Sequence, residues 1–146
     1  GVNVQEALAF LSLPMDFSER VARLKACKRA KLFKIGDWII ALSNVSAFQA
    51  SAARAIIDLG AHVAVVGGQK NDSLEISLRC TREFHEKTGI HLGKDIAKPL
   101  GEYLNGMGGG HSTAAGVNGF GELEAGLKRC LKLLKEKLTQ QMKTQT

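Results

Sequence analysis

The sequence predicts a single α/β domain with a mixed β-sheet of about four to five strands, flanked by helices and preceded by a helical N-terminal lead-in. Two observations predict this fold class. A chain of 146 residues that is 45% hydrophobic and 23% charged is long enough to bury one sizeable core. Along it, short apolar runs rich in β-branched residues alternate with longer stretches whose apolar positions recur at helical spacing.

The N-terminal part is predicted to be helical. Apolar residues recur at helical spacing over residues 16–33, and Asp16-x-x-Glu19 resembles a capping box. A shorter apolar stretch, residues 4–11, is separated from it by Pro14. We expect residues 1–36 to form a helical linker to an upstream domain, and residues 37–146 to form the domain itself.

A strand-helix-strand unit is predicted next. Residues 38–42 are apolar and suit a buried strand, and Ser46-x-x-Gln49 then opens an alanine-rich helix that Gly60 ends. Residues 62–66 form the second buried strand. The helix face predicted to pack against the sheet consists of Ala47, Ala50, Ala53 and Ile57.

Residues 67–72 are predicted to be the turn of a β-hairpin, and residues 74–79 its second strand. Because side chains alternate along a strand, Leu74, Ile76 and Leu78 face one way, and Glu75, Ser77 and Arg79 face the other. A hydroxyl and a guanidinium therefore share one side of the sheet. Taken alone, that side is typical of an exposed polar sheet face.

The C-terminal third contains two predicted helices and a short strand. Residues 92–104 carry apolar residues at spacing four, although Pro99 indicates a kink or a fresh start. Residues 114–117 have the apolar character of a strand, and residues 122–142 form a long basic helix. Its apolar stripe consists of Leu123, Leu127, Leu131, Leu134 and Leu138.

A glycine-rich loop is predicted between residues 104 and 114, and this loop suits an anion site. Gly108, Gly109 and Gly110 are followed directly by His111. Glycines let a backbone approach a ligand closely, successive N–H groups form a concavity for phosphate, and the imidazole adds a directed hydrogen bond. The alternative is a flexible glycine turn beside an ordinary surface histidine.

Charge and cysteine usage narrow the function classes. The net charge of +6 favours an anionic partner, although runs of Lys and Arg are also typical of solvated helix faces. Cys27, Cys80 and Cys130 lie far apart and form no C-x-x-C pair, which argues against a zinc knuckle or a disulfide framework. The histidines are scattered too, so we expect no metal site in this chain.

The ends of the chain and its hydropathy suggest a location. No apolar run approaches the ~20 residues of a membrane helix, and no signal-peptide pattern is present, so we expect a cytoplasmic protein without membrane contact. The chain begins with Gly1 rather than Met, from which we expect an excised domain.

The order of these elements, together with the Ser77-Leu78-Arg79 strand and the glycine-histidine motif of residues 108–116, resembles the DHH-associated domain of DHH phosphoesterases. The resemblance covers about residues 37–138 and is closest to archaeal RecJ-like proteins. It implies a two-domain enzyme in which an upstream DHH domain binds manganese and hydrolyses a phosphodiester. This chain contains no Asp-His-His triplet and no Asp-x-Asp pair, so we expect it to carry no catalytic residue and no cofactor.

The family's substrate contacts fall on residues of both motifs. The resemblance implies that Arg79 pairs with a phosphate, with Ser77 as a helper. The backbone amides of residues 108–111 and the imidazole of His111 would hold another phosphate or the terminal nucleotide. Met107 departs from the family pattern, which often has a glycine at that position.

Several functions fit this resemblance. We expect a domain that binds single-stranded DNA or RNA, or short oligonucleotides, and that is not catalytic alone; cyclic dinucleotides and polyphosphate are alternatives. A second hypothesis is an interaction module, in which the leucine stripe or the basic N-terminal helix mediates homodimer formation or replisome docking. A third is a tRNA-binding tail similar to that of alanyl-tRNA synthetase.

Overall fold

The computed structural model describes residues 15–144, which form one six-stranded mixed sheet with helices on both faces. The prediction of a single α/β domain is confirmed. The strand order across the sheet is β1-β2-β3-β4-β6-β5. The strands are β1 (Lys31–Ile35), β2 (Trp38–Asn44), β3 (Val63–Lys70), β4 (Ser73–Cys80), β5 (Met107–Gly110) and β6 (Ala114–Phe120). The predicted lead-in over residues 4–11 lies outside the described residues.

Most of the helices connect consecutive strands. They are α1 (Phe17–Arg29), α2 (Gln49–Leu59), α3 (Arg82–Thr88), α4 (Lys98–Tyr103) and α5 (Leu123–Thr144), and a π-helical segment (Leu92–Ala97) runs into α4. The π-helical segment is capped reciprocally: the Asp95 carboxylate accepts from the His91 N–H at 2.8 Å, and His91 Nδ1 accepts from the Lys94 N–H at 3.0 Å. Among residues 15–144, no helix combines the length and apolarity needed to cross a membrane.

The sheet is antiparallel except for one pair. Strands β2 and β3 are parallel and are joined by α2 as the crossover helix, whereas β3–β4 and β5–β6 are antiparallel neighbours along the chain. Strand β6 pairs with both β4 and β5. Consequently β4, β6 and β5 form one half of the sheet, with the glycine-rich strand β5 at its edge.

The two faces of the sheet are covered differently. The first face packs a large cluster, including Ile76, Leu78 and Phe84, against the π-helical segment, α4 and α5. On the second face, α1 and α2 cover β2 and β3 with small residues such as Ala26 and Ala52, and α2 also lies over part of β4. Residues of β4, β6 and β5 that point to the second face remain exposed or half-buried.

Two predicted boundaries near the first strands are wrong. The helix expected over residues 16–33 ends at Arg29, because residues 31–35 pair with β2 as an edge strand. Its start is confirmed, since the Asp16 carboxylate accepts from the Ser18 N–H at 3.2 Å. The turn expected over residues 67–72 shrinks to two residues, with Asn71 in the left-handed region at φ 56°, and residues 67–70 continue β3.

The face predicted for α2 is confirmed at Ala53 and Ile57 but is wrong at Ala47 and Ala50. The helix begins at Gln49 rather than at Ser46, after Phe48 in the left-handed region at φ 60°. Ala47 and Ala50 are exposed, and the face that packs on the sheet consists of Gln49, Ala52, Ala53, Ala55 and Ile56. The late start changes which residues face the sheet.

The C-terminal elements follow the predicted pattern. The helix expected over residues 92–104 is present and starts afresh at Lys98, one residue before Pro99. The leucine stripe of α5 is buried in the first-face core at Leu127, Leu131, Leu134 and Leu138. The stripe therefore packs on the chain's own sheet. Helix α3 was not predicted, since it is short.

Candidate functional site

The part of the second face over β4, β6 and β5, which α2 covers only along part of β4, is named the open face. Its residues stand in rows across β4, β6 and β5, because the strand register aligns them. Those rows are Ser73–Phe120, Glu75–Asn118–Met107, Ser77–Gly116–Gly109 and Arg79–Ala114. The predicted alternation in β4 is confirmed: Glu75, Ser77 and Arg79 face the open side, while Leu74, Ile76 and Leu78 are buried in the core.

The first two of these rows are called the upper rows and the last two the lower rows. A concavity of about 300 Å³ lies over the lower rows, Ser77–Gly116–Gly109 and Arg79–Ala114. Ser77, Arg79, Gly109 and Gly116 line it, and Ala50 of α2 forms its wall. The row Ser77–Gly116–Gly109 carries no side chain larger than a hydroxymethyl group. A Cβ placed on Gly109 would meet nothing within 4 Å. The floor of the concavity is therefore bare backbone that a ligand can approach closely.

Arg79 is the charged group of this concavity. Its neighbours across the sheet are Ala64 on β3 and Ala114 on β6, so both sides of its side chain are flanked by methyl groups. Within residues 15–144, the guanidinium makes no hydrogen bond or ion pair. An Arg without an internal partner beside a bare floor presents its planar donor set to an incoming anion.

His111 extends the Arg79–Ala114 row. Its backbone N–H donates to the Ala114 carbonyl at 2.8 Å, and its own carbonyl accepts from the Gly93 N–H at 3.0 Å. Two strand spacings, about 10 Å, separate the His111 and Arg79 backbones. His111 is exposed, but its backbone N–H already donates to the Ala114 carbonyl and therefore cannot donate to a phosphate. The imidazole is the part of His111 that can contact a ligand.

The glycine triplet is an edge strand, and the predicted loop is wrong. A Cβ on Gly108 would overlap the Ala97 carbonyl oxygen, and a Cβ on Gly93 would overlap the Gly110 backbone. These glycines let β5 pack directly on the π-helical segment. Because His111 and Ala114 form a hydrogen-bonded pair, ladder alternation directs the Gly109 amide toward β6 and the amides of Gly108 and Gly110 away from it.

The structure thus brings together part of the predicted site. Ser77, Arg79, Gly109 and Gly110 line one concavity, whereas Gly108 packs against the π-helical segment and His111 lies at the edge. Residues 15–144 contain no group of three His, Cys, Asp or Glu side chains that could hold a metal ion.

Arg54 was missed by the sequence reasoning. It lies one helical turn after Ala50, which forms the wall of the concavity, so the two residues share one side of α2. The residue is exposed. The signal was present in the helical spacing, but the predicted helix face treated Ala50 as buried.

Comparison with known proteins gives one curated relative and several similar structures. No family model matches the chain. An uncharacterized protein of Methanocaldococcus jannaschii is 40% identical over 119 residues, which cover 80% of this chain and 35% of that protein. The chain therefore spans about a third of the length of the curated relative that it matches.

The similar solved structures share the fold at low sequence identity. The C-Ala domain of Aquifex aeolicus alanyl-tRNA synthetase has a TM-score of 0.56 and 21% identity, covering 74% of this chain and 97% of that domain. A DHH-domain protein that belongs to a family of ribosomal proteins has a TM-score of 0.58 and 15% identity, covering 82% and 30%. An exopolyphosphatase-related protein of Bacteroides fragilis has a TM-score of 0.61 and 16% identity, covering 97% and 41%. These likenesses show the DHH-associated fold.

Proposed function

We propose that this chain is the substrate-binding domain of a RecJ-like DHH phosphoesterase, and that its open face holds a phosphate of a single-stranded nucleic acid or oligonucleotide. The observation that carries the proposal is the guanidinium of Arg79, which has no hydrogen-bond or ion-pair partner among residues 15–144. It lies beside the row Ser77–Gly116–Gly109. Arginine is the natural bidentate partner of phosphate, and glycines allow the phosphate to lie against the backbone.

The residues of the concavity have distinct roles in this proposal. Arg79 donates two hydrogen bonds to the phosphate oxygens, and the Ser77 hydroxyl donates a third from the neighbouring row. The imidazole of His111 contacts the ligand from the opposite side of the small residues Ala114 and Gly116. Arg54 raises the positive potential at the wall, which attracts a polyanion before contact.

The catalytic apparatus would belong to another part of a longer protein. The curated relative is almost three times as long as the segment that matches this chain, which leaves room for a DHH domain in a longer protein of this kind. That domain would bind manganese and hydrolyse the phosphodiester in the cytoplasm. Manganese binding and the bond-breaking step would lie in that domain, since residues 15–144 contain no group of three His, Cys, Asp or Glu side chains that could hold a metal ion.

Binding of a 5′-phosphorylated single-stranded oligonucleotide, measured by fluorescence anisotropy at two salt concentrations, tests the proposal. We expect Arg79→Ala and His111→Ala each to weaken binding by roughly 1–3 kcal/mol, because each removes a hydrogen bond to a charged group. Affinity should also fall as salt rises. Lys132→Ala, a charge-matched change on the exposed side of α5, should leave affinity within about threefold at equal salt. Binding that is indifferent to both site variants would refute the proposal.

A folded RNA is the second candidate ligand. The observation that favours it is the match to 97% of the C-Ala domain of alanyl-tRNA synthetase, a larger share than for the DHH-domain structure. Competition with deacylated tRNA in the same assay separates the two. If displacing the labelled strand needs a far higher concentration of tRNA than of unlabelled oligonucleotide, the result supports the single-strand proposal. If tRNA displaces it at a far lower concentration, the result supports the second candidate.

A further inference from the structure

A second cavity, of about 470 Å³, lies on the open face next to the phosphate concavity. Its lining includes Glu75, Met107, Asn118 and Phe120, which belong to the two upper rows of the face. We propose that this cavity is a nucleobase subsite selective for guanine, serving a nucleotide near the phosphate at Arg79. The inference rests on the proposed function, and it assigns base specificity to residues that the phosphate contact does not use.

Two large apolar side chains of this cavity are exposed. Phe120 is 55% exposed and Met107 is 81% exposed, and both belong to strands whose other faces are packed. Exposed aromatic rings are costly to leave in water, and a nucleobase that stacks on such a ring strengthens binding whatever its identity. Phe120 therefore provides a stacking surface, and Met107 provides a polarizable flank on the neighbouring row.

The polar side chains of the cavity favour a base that offers N–H groups as hydrogen-bond donors. Glu75 is exposed and makes no hydrogen bond or ion pair within residues 15–144. An ionised carboxylate only accepts hydrogen bonds, and it repels a phosphate, so it favours the N–H edge of a base over the sugar-phosphate backbone. Guanine presents N1–H and the exocyclic amine side by side, which matches the two oxygens of Glu75. Asn118, the next residue in the row, can both donate and accept.

The spacing suits one strand that occupies both cavities. Glu75 and Arg79 are four residues apart on β4, which corresponds to about 14 Å along the strand. A short run of nucleotides spans this distance, so the phosphate at Arg79 and the base at Glu75 belong to the same oligonucleotide. Lys70, which also lines the second cavity, is placed to meet a further phosphate beyond the base.

Fluorescence anisotropy with 5′-phosphorylated oligothymidylate tests this inference. One guanosine replaces thymidine at each of the first five positions in turn, and inosine, which lacks the exocyclic amine, is the matched control base. We expect guanosine at one position to tighten binding about tenfold, with inosine losing most of that gain. Glu75→Gln should abolish the guanosine preference, and Phe120→Ala should weaken all sequences about tenfold.

Matched variants distinguish the possible outcomes. Glu136→Gln removes an equal charge from the exposed side of α5, and Phe17→Ala removes a ring that is 78% exposed on α1, so neither should change binding. Binding that depends on Arg79 but shows no guanosine preference, or a preference that survives Glu75→Gln, overturns the guanine subsite and leaves the proposed function intact. Absence of Arg79-dependent binding overturns both.

Discussion

Gly108 and Gly109 are adjacent in sequence but are constrained by different neighbours. Gly108 faces the π-helical segment, where a Cβ would overlap the Ala97 carbonyl oxygen. Gly109 faces the open side, where a Cβ would meet nothing within 4 Å. The first glycine is required by packing, and the second forms part of the floor of the concavity beside Arg79. Substitutions at the two positions should therefore separate stability from binding.

Gly108→Ala is expected to lower the free energy of unfolding by about 1–3 kcal/mol, because the backbone of β5 must move away from the π-helical segment. Gly109→Ala should change it by less than about 1 kcal/mol, yet weaken oligonucleotide binding, because the methyl group stands on the floor of the concavity. Urea unfolding and fluorescence anisotropy on both variants measure the two effects. Equal destabilisation by both, or unchanged binding by Gly109→Ala, would contradict this division of roles.

Part of the site followed from local sequence rules. Strand alternation placed Ser77 and Arg79 on one side, as observed, because the period of two is a property of the strand itself. The glycine triplet was expected to be a loop, since consecutive glycines favour loops in isolation. Its pairing with β6 and its contact with Ala97 depend on residues far away in the sequence, which no local pattern reveals.

At the scale of elements, α5 links both halves of the sheet on the first face. Leu134 of its stripe is fully buried in the cluster that includes Ile40 of β2 and Ile76 of β4. This packing gives the long basic helix its position and leaves its charged side in solvent. The leucine stripe accordingly stabilises the fold, and its contribution can be measured as a change in the free energy of unfolding.

Leu134→Ala is expected to lower the free energy of unfolding by about 2–5 kcal/mol, the usual cost of a cavity at a buried leucine. Met142→Ala provides the control on the same helix, because that side chain is 55% exposed and should cost less than about 0.5 kcal/mol. Chemical denaturation of the two variants measures the difference. Similar stabilities would mean that the helix is not anchored by its leucines.

The elements that were mispredicted from the sequence are those whose structure depends on pairing between strands. Residues 31–33 continue the helical pattern of α1, but they join β1 because Gly36, in the left-handed region at φ 59°, allows a tight turn back along β2. Residues 17–35 thus pack on the same sheet as the rest of the chain. The expected domain boundary at residue 36 stays a prediction, as does the upstream domain.

At the scale of the whole molecule, the core determines how stability responds to alkaline pH. Burial raises the pKa of the Cys80 and Cys130 thiols from 9.0 to about 12. Cys130 is fully buried among the residues of α5 and the first face, and Cys80 lies at the end of β4 with its Sγ 3.7 Å from the Ser112 carbonyl oxygen. Both thiols stay protonated in the folded state well above the pH at which they ionise in the unfolded chain.

The raised pKa values of the two thiols make the folded state less stable at alkaline pH. Between about pH 9 and pH 12 the unfolded state binds fewer protons than the folded state, so stability is complete below pH 9 and is lost as pH rises through this window. At pH 10.5 each thiol should cost about 2 kcal/mol relative to pH 8. Urea unfolding at both pH values measures this loss. Cys130→Ala should reduce it by about half. An equal loss in wild type and Cys130→Ala would mean that other groups, such as lysines, control the alkaline limit.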